Sequence, residues 1–534
     1  MSIAIVWFRR DLRLADNPAL AEAARSHEHV VALYVHAPEE EGEWAPGAAS
    51  RWWLYHSLEA LDTALGRHHG RLQVIRGPSL ESLRAAIAAT GATAVYFNRL
   101  YDPKVVRRDK AVRRGLEADG IEVASFNAAL WVEPWDIATK QDEPYRVFTP
   151  FWRNVRTRIG EMEPLPEPHA LSLWQPHRDE VWEPLQRQAG EPLQRNVWEP
   201  LQRRSRGSGQ AGRGLPRGEH PSPLKRLPHQ PGGLLGIGEL GLLPVRDWAK
   251  GFGEWMPGEK GAQEMLALFA DDAVGHYDEG RDLPARHGTS RLSPHLHWGE
   301  ISPVQIAAQL RARTAKRRNG VDIEPYLRQL GWREFAHHLL YHFPKTPKEN
   351  FNPKFDAFRW ARRDAHALRR WQRGQTGIPI VDAGMRELWA TGWMHNRVRM
   401  LVASLLTKNL RQHWVLGEKW FWDTLVDADL ANNAMGWQWV AGSGADAAPY
   451  FRIFNPVTQS EKFDPDGAYI RRWVPELAKA PGRLVHAPWE DEAFLKSSGY
   501  PSPIVDLKRS REDALTAYQR LRGDRGEAGP APGE

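Results

Sequence analysis

The sequence predicts an α/β N-terminal domain, a parallel five-stranded doubly wound sheet, followed by an all-helical C-terminal domain. Three observations carry this. Within residues 1–160, short β-branched or aromatic runs alternate with longer segments of helical spacing. Residues 246–525 keep the helical spacing and lose the short runs. Between them, residues 161–245 are rich in Pro, Gly and Arg and hold no period.

The five runs begin at Ile3, Val30, Leu72, Thr93 and Ile121, and each is apolar enough to be covered on both faces. Segments 51–69 and 79–90 have helical spacing, and Asp16 stands where a helix running through Ala23 needs an N-cap. Beyond the first run the chain reads Trp7-Phe8-Arg9-Arg10-Asp11-Leu12-Arg13, with no glycine-rich dinucleotide fingerprint after it. A nicotinamide site is therefore not expected. The connector repeats EPLQR at 183–187, 191–195 and 199–203. The unit is too short and too often broken by Pro to stack as a solenoid. It reads as an expanded, largely disordered linker, with a nonspecific basic tether for nucleic acid as the alternative. In the third zone, helical spacing covers segments 262–277, 303–314, 323–341, 365–372, 381–391, 395–410 and 421–427. In 395–410, Val398, Leu401, Val402 and Leu405 form an apolar stripe, and Asn396 and Met400 share another face one turn apart.

Composition sets limits. With no cysteine among 534 residues, disulfides, thiolate metal sites and cysteine nucleophiles are excluded. The N-terminus lacks the layout of a secretory signal, and no apolar run approaches a membrane span, so a cytoplasmic protein is expected. The net charge of +6 sits almost wholly in residues 181–232, so bulk charge builds no basic face elsewhere. Tryptophan is the anomaly, with 25 residues. Two readings stay open: a Trp-rich helical core, or indoles arranged around a planar cofactor or unstacked bases.

Five long motifs then stand in order. They are WFRRDLRLADNPAL (7–20), YDEGRDLPARHGTSRLSPHLHWGEISP (277–303), WREF (332–335), GWMHNRVRM (392–400) and DADLANNAMGWQW (427–439), and the segment 446–477 continues the match. Together they resemble the DNA photolyase/cryptochrome family, most closely a class I cyclobutane pyrimidine dimer photolyase. The resemblance spans the chain except for about 165–245 and the last dozen residues. It implies FAD, active in its reduced form, in the helical domain, and leaves room for a second, antenna chromophore of unspecified identity. At 102–105 the chain reads DPKV, without the Asn-Glu pair expected for a folate antenna.

The resemblance also assigns roles. Thr289, Ser290, Arg291, Leu292 and Ser293 match the diphosphate cradle, where hydroxyls and a guanidinium precede a helical segment. Tyr277 and Arg333 match further FAD contacts. Ala428 and Asp429 match positions at the cofactor, Asp429 near the ribose, and Arg399 with Asp427 match a guanidinium–carboxylate pair beside the isoalloxazine. Asn433 matches the residue facing flavin N5, where an amide bonds without adding charge. Trp437, Trp414 and Trp360 match an electron-transfer chain from flavin to surface. Arg281, Arg397, Lys462 and Gln459 match DNA contacts, and Trp332 and Trp439 could pack against the flipped-out pyrimidine dimer. Asn396 and Met400 match the type that repairs cyclobutane dimers, whereas the (6-4) type places histidines there. Gln329 stands where the familiar repair enzymes carry Glu. The implied activity is deoxyribodipyrimidine photo-lyase action on UV-damaged DNA by a monomer. The alternative is a cryptochrome-like blue-light photoreceptor signalling through protein partners.

Overall fold

The computed structural model describes residues 2–160, 162–175, 234–315, 320–447 and 451–523. Five parallel strands, β1 (Ile3–Phe8), β2 (His29–His36), β3 (Gln73–Arg76), β4 (Ala94–Asn98) and β5 (Glu122–Phe126), form one sheet in the order β3-β2-β1-β4-β5. Alternation along β1 explains why its run is apolar throughout. Ala4, Val6 and Phe8 enter one core, while Ile5 and Trp7 enter the core on the opposite face. The strand order reverses between β1 and β4, so the crevice beyond their carboxyl ends is the expected ligand side.

The first helix, Pro18–Ser26, is capped by Asn17, whose side chain accepts from the Leu20 amide, and not by Asp16. Asp16 instead has a left-handed backbone (φ 53°) and accepts bonds from the Leu165 amide and the Ser302 hydroxyl. Its carboxylate is spent on joining distant segments. Both ends of the 161–245 connector lie on the sheet: Leu173 bridges Val30, and Leu234 bridges Ile75. The EPLQR repeats lie outside the described residues.

The WFRRDLR segment is a joint. Arg13, 1% exposed, donates to the carbonyls of Ala15, Asp16, Ala128 and Gly299. Arg9 pairs with Asp109 at 2.6 Å and donates to the Asn98 carbonyl. Gly299 has φ +63°, and a Cβ there would stand 2.2 Å from the Arg10 carbonyl, so the helical half approaches this loop backbone to backbone.

The helical half is built around Glu324–His342, Pro379–Thr391, Asn396–Ser404, Trp414–Thr424 and Leu430–Ala441. Segment 395–410 is not one α-helix: after Ser404 it continues as a π-turn, Leu405–Asn409. That turn carries the buried Lys408, whose Nζ donates to the Ala441 carbonyl at 2.7 Å and so caps the C-terminus of Leu430–Ala441. The helix expected over 421–427 ends at Thr424 and begins at Trp414, where the His413 ring accepts the Val415 amide. Asp427 therefore lies in the following turn. The helix expected over 262–277 stops at Asp271, so Tyr277 opens a separate short turn.

Candidate functional site

Three groups of the expected residues converge on Leu430–Ala441. Asp429 is its N-cap and accepts from the Asn432 amide. The other carboxylate oxygen faces His337 Nε2 at 3.5 Å and His297 Nδ1 at 3.6 Å. Burial opposes its charge, but His337 and His297 outweigh that and hold the carboxyl well below the usual range. Arg399 grips Asp427 with one Nη at 3.1 and 2.8 Å, and its Nε donates to the Met394 carbonyl at 2.7 Å. Ala428 is buried between the two aspartates.

One turn into the helix, the Asn433 amide donates to the Glu418 backbone carbonyl at 3.0 Å. This fixes the amide, so its carbonyl oxygen points away from Glu418 and stays available as an acceptor. The Glu418 side chain is wholly buried, and neither carboxylate oxygen has a partner among the described residues. Burial pushes its pKa well above the ordinary value.

The Thr289–Ser293 segment supplies a second wall. Ser290 Oγ bonds the Tyr326 hydroxyl at 2.9 Å, and Ser293 Oγ accepts from the Trp393 indole at 3.4 Å. Ser293 opens the Ser293–His297 turn, with Leu292 buried just before it. Arg291 has φ 52°, and its guanidinium lies over Trp255 (4.3 Å) and Trp393 (5.1 Å) with its Nε buried and unpartnered. Burial lowers its pKa from an ordinary value so high that it remains a cation. Tyr277 is buried edge-on to Tyr326 at 5.1 Å. An aromatic-walled cation with an unspent donor, an amide with an unspent acceptor and a low-pKa carboxylate suit a nucleotide cofactor carrying a diphosphate, a ribose and a ring edge.

Asn396, Arg397 and Met400 lie on the Asn396–Ser404 helix with Arg399, and Asn396 is exposed. Arg397 pairs with Asp282 at 2.6 Å and lies over Phe463 at 4.3 Å, and Lys462 covers the same ring at 5.2 Å. Arg281 reaches Asp282 at 4.0 Å. The three expected phosphate contacts are thus joined through Asp282 and Phe463. Trp332 stacks on Phe148 at 3.6 Å, which leaves one face of its indole. Trp439 is half-buried, with Arg452 over it at 5.9 Å. Gln329 donates to the Pro325 carbonyl at 3.4 Å, and Gln459 is half-buried. No hydrogen bond or ring contact joins Gln329 or Gln459 to the groups above. The Arg333 guanidinium donates to the Ala129 carbonyl at 2.7 Å, towards the segment that links the two halves.

The three tryptophans are linked through neighbouring residues. Trp437 is buried against Gly417, where an added Cβ would stand 2.0 Å from its ring. Gly417 and Trp414 are three residues apart on one helix and so share a face. Trp414 abuts His413 (5.5 Å), which abuts the half-buried Trp360 (5.0 Å).

A cleft opens beyond the carboxyl ends of β1 and β2. Trp7, Tyr34, Trp44 and Trp422 supply its aromatic walls, Arg9 and Arg108 its cations, and Ala428 adjoins it from the site above. Asp102, expected near any antenna, bonds Arg10 at its edge.

Residues 4–169 match the family model described as DNA photolyase, and residues 326–520 match that described as the FAD binding domain of DNA photolyase. A deoxyribodipyrimidine photo-lyase of Agrobacterium fabrum is 44% identical over 97% of this chain and 98% of its own. Cryptochrome-2 of Arabidopsis thaliana is 36% identical over 99% of this chain and 81% of its own. This chain belongs to the photolyase/cryptochrome family. Within it, a crystal structure of a bacterial class III photolyase from Agrobacterium tumefaciens superposes with a TM-score of 0.82 at 42% identity, covering 98% of each chain. The relative named by class is thus class III, and the class I expectation gains no support. The chain is a photo-lyase-type flavoprotein with an FAD-binding domain, from a family that acts on DNA. Among the described residues no helix is long and apolar enough to cross a membrane.

The motifs did not single out Glu418, His297, His337, Trp393 or Tyr326. His297 and Trp393 sit inside quoted motifs and carried a signal. Glu418 carried none, because a glutamate between Gly417 and Lys419 reads as a solvated helix position.

Proposed function

We propose that the chain repairs cyclobutane pyrimidine dimers in DNA in a light-driven reaction, acting as a cytoplasmic monomer. The observation that carries this reading is a single helix. Asn396–Ser404 bears the residues expected at the lesion (Asn396, Met400), an expected phosphate contact (Arg397) and the guanidinium expected at the flavin (Arg399). Lesion, backbone and cofactor contacts are then held in register by one rigid element.

Bound reduced FAD supplies the electron when it absorbs light. The protein does the rest by placement. Arg291 and the hydroxyls of 289–293 hold the diphosphate, Asp429 takes the ribose, and the Arg399–Asp427 pair and the Asn433 carbonyl orient the ring system. Arg281, Arg397 and Lys462 hold phosphates of the damaged strand, with Gln459 as a further contact. Trp439 and the open face of Trp332 receive the flipped pyrimidines, whose weakened stacking lowers the cost of extrusion. Asn396 offers a neutral amide to the thymine edge, and Met400 fills the apolar side. Gln329 keeps a hydrogen bond in reach without a charge. Trp437, Trp414 and Trp360 carry electrons inward to restore the reduced cofactor. The aromatic, cationic cleft beyond β1 and β2 is the candidate site for an antenna chromophore.

Gln329 favours a second reading, a blue-light photoreceptor acting through protein partners, because the carboxylate of the repair enzymes is missing there. One assay divides the two. Reduced holoprotein is mixed with a dimer-containing oligonucleotide, and thymine absorbance is followed in light and dark. Light-dependent recovery is expected, and Asn396→Ala is expected to slow it at least tenfold while FAD stays bound. Absence of recovery in light selects the receptor reading.

A further inference from the structure

The outer end of the tryptophan series has a surface of its own. Trp360 lies in the stretch RWARRDAHALRRWQR (359–373), which holds six arginines and one acid. That acid, Asp364, is spent: its carboxylate accepts the His366 and Ala367 amides as N-cap of Ala365–Gln372. Arg370 is engaged by the Gln375 and Ser502 carbonyls. Arg359, Arg362, Arg363, Arg369 and Arg373 are exposed and make no ion pair with a described residue. Five cations without an ion pair to a described residue therefore share one short stretch with a half-buried indole, in a protein whose described surface elsewhere is laced with paired arginines such as those at Asp62, Asp119, Glu117 and Glu476.

We propose that this arginine surface docks an acidic one-electron carrier protein that replaces the electron lost by Trp360. The inference rests on reading Trp437, Trp414 and Trp360 as an electron path. Two features favour a protein over a small anion or DNA. Arg359, Arg362 and Arg363 precede the Ala365–Gln372 helix, Arg369 lies on it and Arg373 follows it, so the cations flank an element roughly 12 Å long at 1.5 Å per residue, broader than one small anion can touch. Trp439, assigned to the DNA side, leaves the Leu430–Ala441 helix about 200° from Trp437, so the path to Trp360 runs away from that side. The electron balance is simple. The carrier is oxidised by one electron, the oxidised Trp360 indole returns to its neutral form, and no bond forms or breaks. Clustered charge facing an oppositely charged partner raises association rates by 10–10³-fold.

The test uses the FAD-loaded full chain, a laser flash and fully reduced flavodoxin, an acidic carrier, as probe. The decay of the indole radical is followed against flavodoxin concentration at low salt. Arg362→Glu/Arg363→Glu/Arg369→Glu is expected to slow the second-order decay at least tenfold, and 0.5 M salt is expected to slow the parent protein similarly. FAD content, melting temperature and quenching by neutral dithiothreitol are expected to stay unchanged. An unchanged flavodoxin rate in the charge-reversed protein overturns the proposal. So does an equal loss of affinity for undamaged duplex DNA with the flavodoxin rate intact, which makes the surface a nucleic-acid contact. Trp360→Phe separates this from the underlying reading. A long-lived indole radical that survives in Trp360→Phe overturns the electron path itself. A radical lost there, together with indifference to charge reversal, overturns only the docking surface.

Discussion

The two halves of the molecule spend their polar residues differently. In the α/β half, most polar groups of the WFRRDLR signature bond within the protein, and two buried donors, Trp7 Nε1 and Arg9 Nε, are left over on residues that line the cleft beyond β1 and β2. Arg13 serves four carbonyls, Arg9 an aspartate and a carbonyl, and Asp11 the Arg9 amide and Asn98. In the helical half, Arg291 Nε and both oxygens of Glu418 are buried without a partner among the described residues. Within a long sequence signature, most polar groups hold the fold, and the few left without a protein partner are the ones a ligand can engage.

The largest expected effect tests the joint. Arg13→Ala leaves four carbonyls short of a donor, and about 3–5 kcal/mol of unfolding free energy should be lost in a denaturant titration. Arg291→Ala should do the reverse, lowering FAD affinity at least tenfold while apo stability changes by about 1 kcal/mol or less. If the two variants behave alike in the apo protein, the contrast fails.

A middle-sized effect sharpens the contrast through pH. Glu334 accepts the Trp131 and Val132 amides where the two halves meet, and burial pushes its pKa up to about 8. The folded chain holds this proton more tightly than the unfolded chain. The contribution of Glu334 to stability is therefore full below about pH 4.5 and falls until about pH 8. Glu334→Gln should raise the melting temperature by about 5 °C at pH 9 and little at pH 4.5, as measured by calorimetry. A gain of equal size at both pH values would exclude the ionisation as its cause.

The smallest effect concerns the lesion side. Gln329→Glu should speed dimer repair by roughly fivefold, since one hydrogen bond to a charged group outweighs a neutral one by about 1 kcal/mol. A slower variant would show that the amide is the fitted group.

Much of the fold was legible, because both of its signals are local. The β1 run is matched from end to end, and 79–90, 303–314 and 365–372 are helices as read. The failures trace to interactions between distant segments. Asp16 looked like a cap until Ser302, 286 residues away, claimed its carboxylate. The π-turn at 405–409 keeps an apolar stripe close enough to α spacing to pass for one helix. At the site, paired roles such as Arg399 with Asp427 were readable through the family resemblance. The orienting of Asn433 by a backbone carbonyl was not, because a carbonyl has no letter in the sequence.

Gly417 repays a last look. An added methyl there would stand 2.0 Å from the Trp437 ring and would have to push that indole off the helix carrying Trp414. Tunnelling probability decays exponentially with the width of the gap. In the proposed relay, the seat of Trp437 is therefore set by a missing side chain, and one carbon atom at this position would act as a throttle.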